Sequence, residues 1–420
     1  MTIDQTLLDD LEWRGLVADS TDRDALREAL AEGLKFYIGF DPTAPSLHMG
    51  NLLQIVTAMR LQRAGHTPYA LVGGATGMIG DPRDSGERTL NSLATVQEWV
   101  DRVRSQIEPF LSFDGENGAT MVNNYDWTAG LSTIDFLRDV GKHFPVNRML
   151  ARDTVRKRLE SGISYTEFSY VLLQSMDFLE LYRAHGVTLQ FGGSDQWGNI
   201  TGGVELIRRA AGGSAHAFTT PLVTKSDGTK YGKTEGGALW LDPQMMSPYA
   251  FHQFWLNVED AKVGELLRIF TFRTRAEIED LERQQDESPW LRAGQKTLAD
   301  DVTTLVHGAA ETEQAKAAAV ALFGGGELAA LSSATLGAAL TEAGVSSIAG
   351  DSWSVVDLFV SSGLAASRGE ARRTVTEGGA YVNNVRVEDP DAELSRADLI
   401  AGEWLVLRRG KKRFAGVRVN

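Results

Sequence analysis

The sequence predicts an α/β protein: a Rossmann-like, doubly wound parallel sheet, then an α-helical domain, then a small α+β module. Three observations carry that prediction. Short apolar runs alternate with helical stretches over about 230 residues, which is the pattern of βα units stacked into a parallel sheet. After Pro243 the strand signals stop, and residues 248–322 are rich in Ala, Leu, Glu, Arg and Gln at helical spacing. From Ser352 the composition shifts again, to a short helical part and two strand-like runs.

In chain order, residues 1–34 read as helical and acidic, ending near Gly33. Phe36 to Phe40 is a short apolar run stopped by Asp41-Pro42, a buried-strand signal. Asn51 to Ala64 reads as a helix closed by Gly65. Tyr69 to Val72 is a second strand entering Gly73-Gly74-Ala75-Thr76-Gly77. A helix over 94–111 and a strand over Thr120–Asn124 follow. Val187 to Phe191 is a strand ending at Gly192-Gly193, Asn199 to Ala210 a helix, and Pro221 to Thr224 one more strand. Beyond the helical region, the Gly, Ala and Ser of residues 326–351 read as a connector with some helix in it. Leu358 to Glu377 is helix-rich, and Ala380–Val387 and Glu403–Leu407 are strand-like. The expected domains are therefore 1–235, 236–325, a linker at 326–351, and 352–420, the last removable by a cut near Gly350.

Composition narrows the function. A chain of 420 residues with 43% hydrophobic and 23% charged residues is ordinary for globular domains. A net charge of −14 argues against coating nucleic acid or an anionic membrane over most of the surface. Absence of cysteine excludes disulfides, Cys-based metal sites and thiol nucleophiles. No run approaches the 18 apolar residues of a membrane span, and the acidic first 13 residues are no signal peptide, so a cytoplasmic protein is expected. Residues 351–420 differ, with 11 basic and 10 acidic side chains. Their basic residues cluster at Arg368, Arg372, Arg373 and from Arg408 through Lys411, Lys412 and Arg413, the pattern of an appended nucleic-acid grip.

Two segments carry chemistry. Tyr37-Ile38-Gly39-Phe40-Asp41-Pro42-Thr43-Ala44-Pro45-Ser46-Leu47-His48-Met49-Gly50-Asn51 ends a strand and begins a helix, the place where doubly wound sheets bind ligands. The helix start offers unpaired N–H groups to phosphate, with Thr43, His48 and Asn51 adding side-chain donors. Lys225-Ser226-Asp227-Gly228-Thr229-Lys230-Tyr231-Gly232-Lys233-Thr234 is a polar loop whose two lysines, three residues apart, can close on a polyphosphate. No ligand cluster for a protein-bound metal is present.

On these residues the chain resembles the bacterial tyrosyl-tRNA synthetases, which are class I aminoacyl-tRNA synthetases. His48-Met-Gly-Asn51 stands for the family's His-Ile-Gly-His signature and Lys230-Tyr-Gly-Lys-Thr234 for its Lys-Met-Ser-Lys-Ser signature. Gly80-Asp81-Pro82, Tyr165-Thr-Glu-Phe-Ser-Tyr170 and Gly192-Gly-Ser-Asp-Gln-Trp-Gly-Asn199 follow in the family's order. The resemblance covers nearly the whole chain, including a C-terminal module shared with a small-subunit ribosomal protein.

It implies that tyrosine is activated with ATP to tyrosyl-adenylate and pyrophosphate, then transferred to the 3′ end of tRNA(Tyr). It implies catalytic roles for Thr43, His48, Asn51, Lys230, Lys233 and Thr234, and ATP contacts from Gly39, Asp41, His48, Gly193, Asp195 and Lys233. Asp81, Tyr170 and Gln174 match the triad around the substrate's amino group, Gln196 lies beside its carboxyl end, and Tyr37 and Asp177 match the pair that reads the phenolic hydroxyl. That pair rejects phenylalanine by leaving buried polar groups unpartnered, which fits the lack of any insertion large enough for editing. Also implied are ATP with Mg²⁺ as substrate, no tightly bound cofactor, a homodimer formed through about 130–185, and no membrane partner. Asn51 replaces a second His, and Arg83 to Glu87 lacks the Lys the family often has there. A tryptophanyl-tRNA synthetase, a nucleotidyltransferase with a small acceptor and a non-catalytic RNA-binding relative are the alternatives.

Overall fold

The computed structural model describes residues 6–82, 86, 90–226, 228–229, 231, 233–234, 237–322, 326–410 and 413–420, with backbone alone at Asp153, Thr154, Lys233, Thr234 and Gly237. The chain forms two compact units, one of residues 1–242 with 264–278, the other of 243–263 with 279–420.

In the first unit the elements run α1 (Leu7–Trp13), β1 (Asp19–Ser20), α2 (Arg23–Glu32), β2 (Lys35–Phe40), α3 (Met49–Arg63), β3 (Thr67–Val72), α4 (Leu93–Ile107), β4 (Thr120–Asn123), α5 (Tyr165–His185), β5 (Leu189–Gly193), α6 (Trp197–Ala211) and β6 (His216–Thr220). Short helical turns between Tyr125 and Arg158 separate β4 from α5. The strands lie in the order β1-β6-β5-β2-β3-β4, parallel except for β1. The chain winds outward from β2 through β3 to β4, then returns to the other side of β2 with β5. That reversal leaves a crevice at the carboxyl ends of β2 and β5, as doubly wound sheets do. In β2, Phe36, Tyr37, Ile38 and Phe40 are buried, which is why its sequence is an unbroken apolar run. Phe36 packs on Phe191 with ring centroids 5.7 Å apart, and Phe191 stacks on Phe218 at 5.0 Å.

The last sheet strand differs from expectation. It is β6 at His216–Thr220, and Pro221 to Val223 lie outside any strand, because a proline cannot donate to a ladder and ends the run. The polar loop beyond is followed by a two-stranded hairpin, β7 (Lys233–Thr234) with β8 (Gly237–Ala238).

The second unit contains helices α7 (Pro248–Leu256), α8 (Ala293–His307), α9 (Ala309–Leu322) and α10 (Ser333–Ala343). Strands β9 (Val345–Ile348), β10 (Ser352–Ser354), β11 (Ala380–Val382), β12 (Val385–Arg386), β13 (Glu393–Ser395), β14 (Trp404–Arg409) and β15 (Arg413–Val419) follow. The expected connector is therefore built structure. α10 occupies its middle, and β9 pairs in parallel with β15 in a five-stranded sheet. Trp404 and Val406 of β14 share one apolar core with Ala315, Ala318, Leu336 and Leu340. A cut near Gly350 would strip that core, so the clean excision expected from composition does not follow. The helix expected within the connector is present, and its small residues serve packing: a Cβ on Gly337 would lie 2.7 Å from the Trp404 ring.

Candidate active site

β2 ends at Phe40, and Asp41 and Thr43 turn the chain toward α3. His48 is the N-cap of α3: its Nδ1 accepts the Gly50 N–H at 3.0 Å, and Asn51 Oδ1 accepts the His48 N–H at 3.0 Å. The Gly50 bond places the proton of the neutral imidazole on Nε2. Asn51 uses its carbonyl in this reciprocal cap and keeps its NH₂ as a donor, at a helix start suited to anions. The segment after the hairpin is laced to the same turn, since Met49 N–H donates to Leu239 at 3.0 Å and Leu241 N–H to Leu47 at 2.9 Å.

α5 begins at Ser164, whose hydroxyl accepts the Glu167 N–H, and ends at left-handed Gly186. Tyr170, Gln174 and Asp177 stand four and three residues apart, on one helix face. Asp177, 1% exposed, accepts from Asn124 Nδ2 at 3.0 Å and Trp127 Nε1 at 2.9 Å. Burial pushes its carboxyl up to about 8, against the pull of those two donors. Tyr37 is equally buried, and burial together with Asp177 and Asp41 raises its hydroxyl pKa well above the ordinary value.

Asp41 bridges the next layer. It accepts from Thr76 Oγ1 and from the Tyr170 hydroxyl, both at 2.6 Å. Gly73 makes room for this, since a Cβ there would lie 2.1 Å from Asp41 Oδ1. Asp81 accepts from Gln196 Nε2 at 2.8 Å and Asn199 Nδ2 at 3.1 Å. Burial nevertheless lifts it to about 6. Gln174 Oε1 is buried without a hydrogen-bond partner among the described residues, an acceptor left over for a ligand's donor.

Tyr37, Gly39, Asp41, Thr43, His48, Asn51, Asp81, Tyr170, Gln174, Asp177, Gly193, Asp195 and Gln196 all border one cavity of about 420 Å³. Lys230 lies outside the described residues, as do Lys411, Lys412 and most of the stretch from Arg83 to Glu87, while Lys233 and Thr234 are described as backbone alone. Arg368, Arg372, Arg373 and Arg413 belong to the second unit. Asp41, expected among ATP contacts, lines the cavity and accepts from the Tyr170 hydroxyl. Sequence reasoning missed Thr76, Asn124 and Trp127. The rule that ligands gather at strand carboxyl ends pointed to them, since Asn124 and Trp127 directly follow β4 and Thr76 follows β3. Among the described residues no group of three or more His, Asp or Glu is placed to hold a metal.

Fold and site together define a class: a doubly wound α/β protein with a ligand-sized cavity at the carboxyl edge of its sheet, bordered by a capped helix start and by buried carboxylates and tyrosines. Residues 30–324 match the family of class I tRNA synthetases (W and Y), and residues 338–417 match the tyrosine--tRNA ligase SYY-like C-terminal domain. A tyrosine--tRNA ligase of Streptomyces coelicolor is 63% identical over 418 residues, 99% of each chain. One from Corynebacterium glutamicum is 56% identical over 416 residues, 98% of this chain and 99% of that one. A C-terminally truncated mitochondrial tyrosyl-tRNA synthetase of Aspergillus nidulans superposes with a TM-score of 0.67 at 31% identity, over 74% of this chain and 92% of that one. The chain belongs to the class I tRNA synthetases, in the branch of the tyrosine--tRNA ligases. It is an aminoacyl-tRNA synthetase, and among the described residues no helix is long and apolar enough to cross a membrane.

Proposed function

We infer that this chain activates L-tyrosine with ATP and passes the tyrosyl group to tRNA(Tyr). The observation that carries the reading is the cavity's polarity. A buried Tyr37–Asp177 end suits a phenolic hydroxyl, and an Asp81–Tyr170–Gln174 rim offers acceptors to an ammonium. Gln196 lies beside the carboxylate, which attacks the α-phosphorus of ATP. The bond to the β-phosphate breaks and pyrophosphate leaves. A ribose hydroxyl at the tRNA 3′ end then attacks the tyrosyl carbonyl, AMP departs and the ester forms.

No protein nucleophile is needed; the task is positioning and charge stabilisation. His48 Nε2, the Asn51 NH₂, Thr43 and the start of α3 stabilise the phosphates, with Lys230, Lys233 and Thr234 meeting the departing pyrophosphate. Gly39, Gly193 and Asp195 receive the nucleoside. ATP enters as its Mg²⁺ complex, and no cofactor stays bound. The protein works in the cytoplasm as a homodimer. Exposed apolar side chains between β4 and α5, Ile134 (69%), Val146 (60%) and Leu159 (48%) among them, supply the surface for pairing. Arg368, Arg372, Arg373 and the Lys411–Arg413 cluster contact tRNA.

The test is amino-acid-dependent exchange of labelled pyrophosphate into ATP. Tyrosine alone should drive it. Exchange driven by tryptophan, or none with tyrosine, would overturn the reading.

A further inference from the structure

Arg148, Arg152 and Arg156 repeat at helical spacing, and on sequence alone they read as a solvated or interface helix at least as readily as an RNA contact. The structure separates them. Arg148 and Arg156 are exposed, whereas Arg152 turns inward. Its Nη1 donates to Asn199 Oδ1 at 2.8 Å, and its other terminal nitrogen donates to the Gly198 carbonyl. It has no place on the cavity wall.

What it touches is bonded to the wall, since Asn199 holds Asp81 and Gln196, both of which line the cavity. The Asn199 amide has two ends. Its Nδ2 bridges Asp81 Oδ1 at 3.1 Å and Gln196 Oε1 at 3.0 Å, while its Oδ1 takes the Arg152 bond. A free amide can rotate and present oxygen where nitrogen stood. Here that rotation would set the one amide oxygen of Asn199 against both the Asp81 carboxylate and Gln196 Oε1. A guanidinium on the far side forbids it, because guanidinium only donates. Gln196, oriented by the same amide, gives its own Nε2 to the second Asp81 oxygen. Both oxygens of Asp81 are thus set by a chain of bonds that begins at Arg152.

We propose that Arg152 is a positioning residue for the substrate ammonium: by fixing Asn199 and Gln196 it holds the Asp81 carboxylate in the orientation that receives the charged amine. The proposal rests on the tyrosine reading of this cavity. Burial lowers the Arg152 guanidinium to about 10, and its attraction to Asp81 pulls the other way.

Two half-ligands test this in the full-length protein. Tyramine carries the ammonium without the carboxylate, and 3-(4-hydroxyphenyl)propionate carries the carboxylate without the ammonium. Arg152→Met should weaken tyramine roughly tenfold, the scale of a lost charge-assisted hydrogen bond, and leave the propionate within about twofold. KM for tyrosine should rise while KM for ATP holds. Arg152→Lys, which keeps a charged donor, should recover most of the loss. Should the Met protein not fold, Arg152→Gln keeps reach and a donor without charge, and the same selectivity is expected at smaller size. Equal weakening of both half-ligands, or of neither, would overturn the proposal while leaving the tyrosine reading intact. A wild-type protein that binds neither and exchanges no pyrophosphate would overturn the tyrosine reading, and this inference with it.

Discussion

At the proposed amino-acid end of the cleft, protein donors set three carboxylates. Asp177 is held by Asn124 and Trp127, Asp41 by Thr76 and Tyr170, and Asp81 by Gln196 and Asn199. At the proposed phosphate end His48 and Asn51 cap a helix, and the proposal adds donors from the lysines after Thr224. The first end is a rigid reader built from burial, which raises pKa values and makes each unpaired group expensive. The second presents charge and N–H groups to a ligand already rich in acceptors. The difference teaches that discrimination and rate reside in separate parts of one cavity, so each should be removable without the other.

The largest effect tests that separation from the phosphate side. Lys233→Ala should slow tyrosyl-adenylate formation by about 10²–10³ in single turnover, the scale of losing one donor to transition-state charge. Tyrosine affinity measured at equilibrium should stay the same, because the lysine meets charge that develops only as pyrophosphate leaves. Parallel loss of tyrosine binding would show that the two ends are one.

From the reading side, Tyr37→Phe and Asp177→Asn should each lower the tyrosine-to-phenylalanine ratio of kcat/KM by roughly 10–100-fold, with most of the loss on tyrosine. Asp177 also leaves a signature in stability. Its carboxyl titrates near the ordinary 3.8 in the unfolded chain and at about 8 when folded, so folding takes up a proton between those values. Its contribution to stability is therefore fully present below pH 4, and declines as pH rises through that window. Asp177→Asn removes the decline. Thermal unfolding followed against pH should show the variant gaining on the wild type toward pH 8, and a constant difference would mean that the folded carboxyl is not so raised.

Much of this was legible in the sequence, for physical reasons that differ by element. β2 was readable because a strand buried on both faces must be apolar throughout, and because Asp41-Pro42 stops it. α5 was readable as function through a motif, and its capped 21-residue length explains how three site residues share a face. β15 was missed as a strand. It opens on Arg413 directly after Lys411-Lys412 and carries Gly416 and Arg418 among its buried Ala415, Val417 and Val419, so its start merged with a basic run and no clean alternation marked the rest. Asn124, Trp127 and Asn199 are single polar side chains whose role is to orient another, and no spacing rule announces such a role. Arg152 was set on a surface face because periodicity reports where a side chain could point, and only the fold reports what it meets.

The smallest effect concerns the C-terminal arginines, which the fold sorts into two groups. Arg368 pairs with Asp357 at 3.0 Å, Arg372 with Asp391, and Arg409 with Glu370 at 2.7 Å. Arg408 is buried against the Tyr381 ring. Arg373 and Arg413 are exposed and have no ion pair among the described residues. A phosphate reaching Arg368 or Arg372 must displace a carboxylate, and exposed pairs of this kind are worth little, so the net gain is small on either side. A phosphate reaching Arg373 or Arg413 displaces no carboxylate among the described residues, and at Arg413 only a 3.3 Å bond to the Gly363 carbonyl. Each of Arg373→Ala and Arg413→Ala should therefore weaken tRNA binding and flatten the slope of log affinity against log salt by about one unit. Arg368→Ala and Arg372→Ala should flatten it by less, and pyrophosphate exchange should be unchanged in all four. Point substitution is the right instrument, because truncation near Gly350 would expose Ala315, Ala318, Leu336 and Leu340 and confound binding with folding. Equal slopes across the four variants would mean that surface pairing does not sort these arginines, and four unchanged slopes would remove them from the tRNA interface altogether.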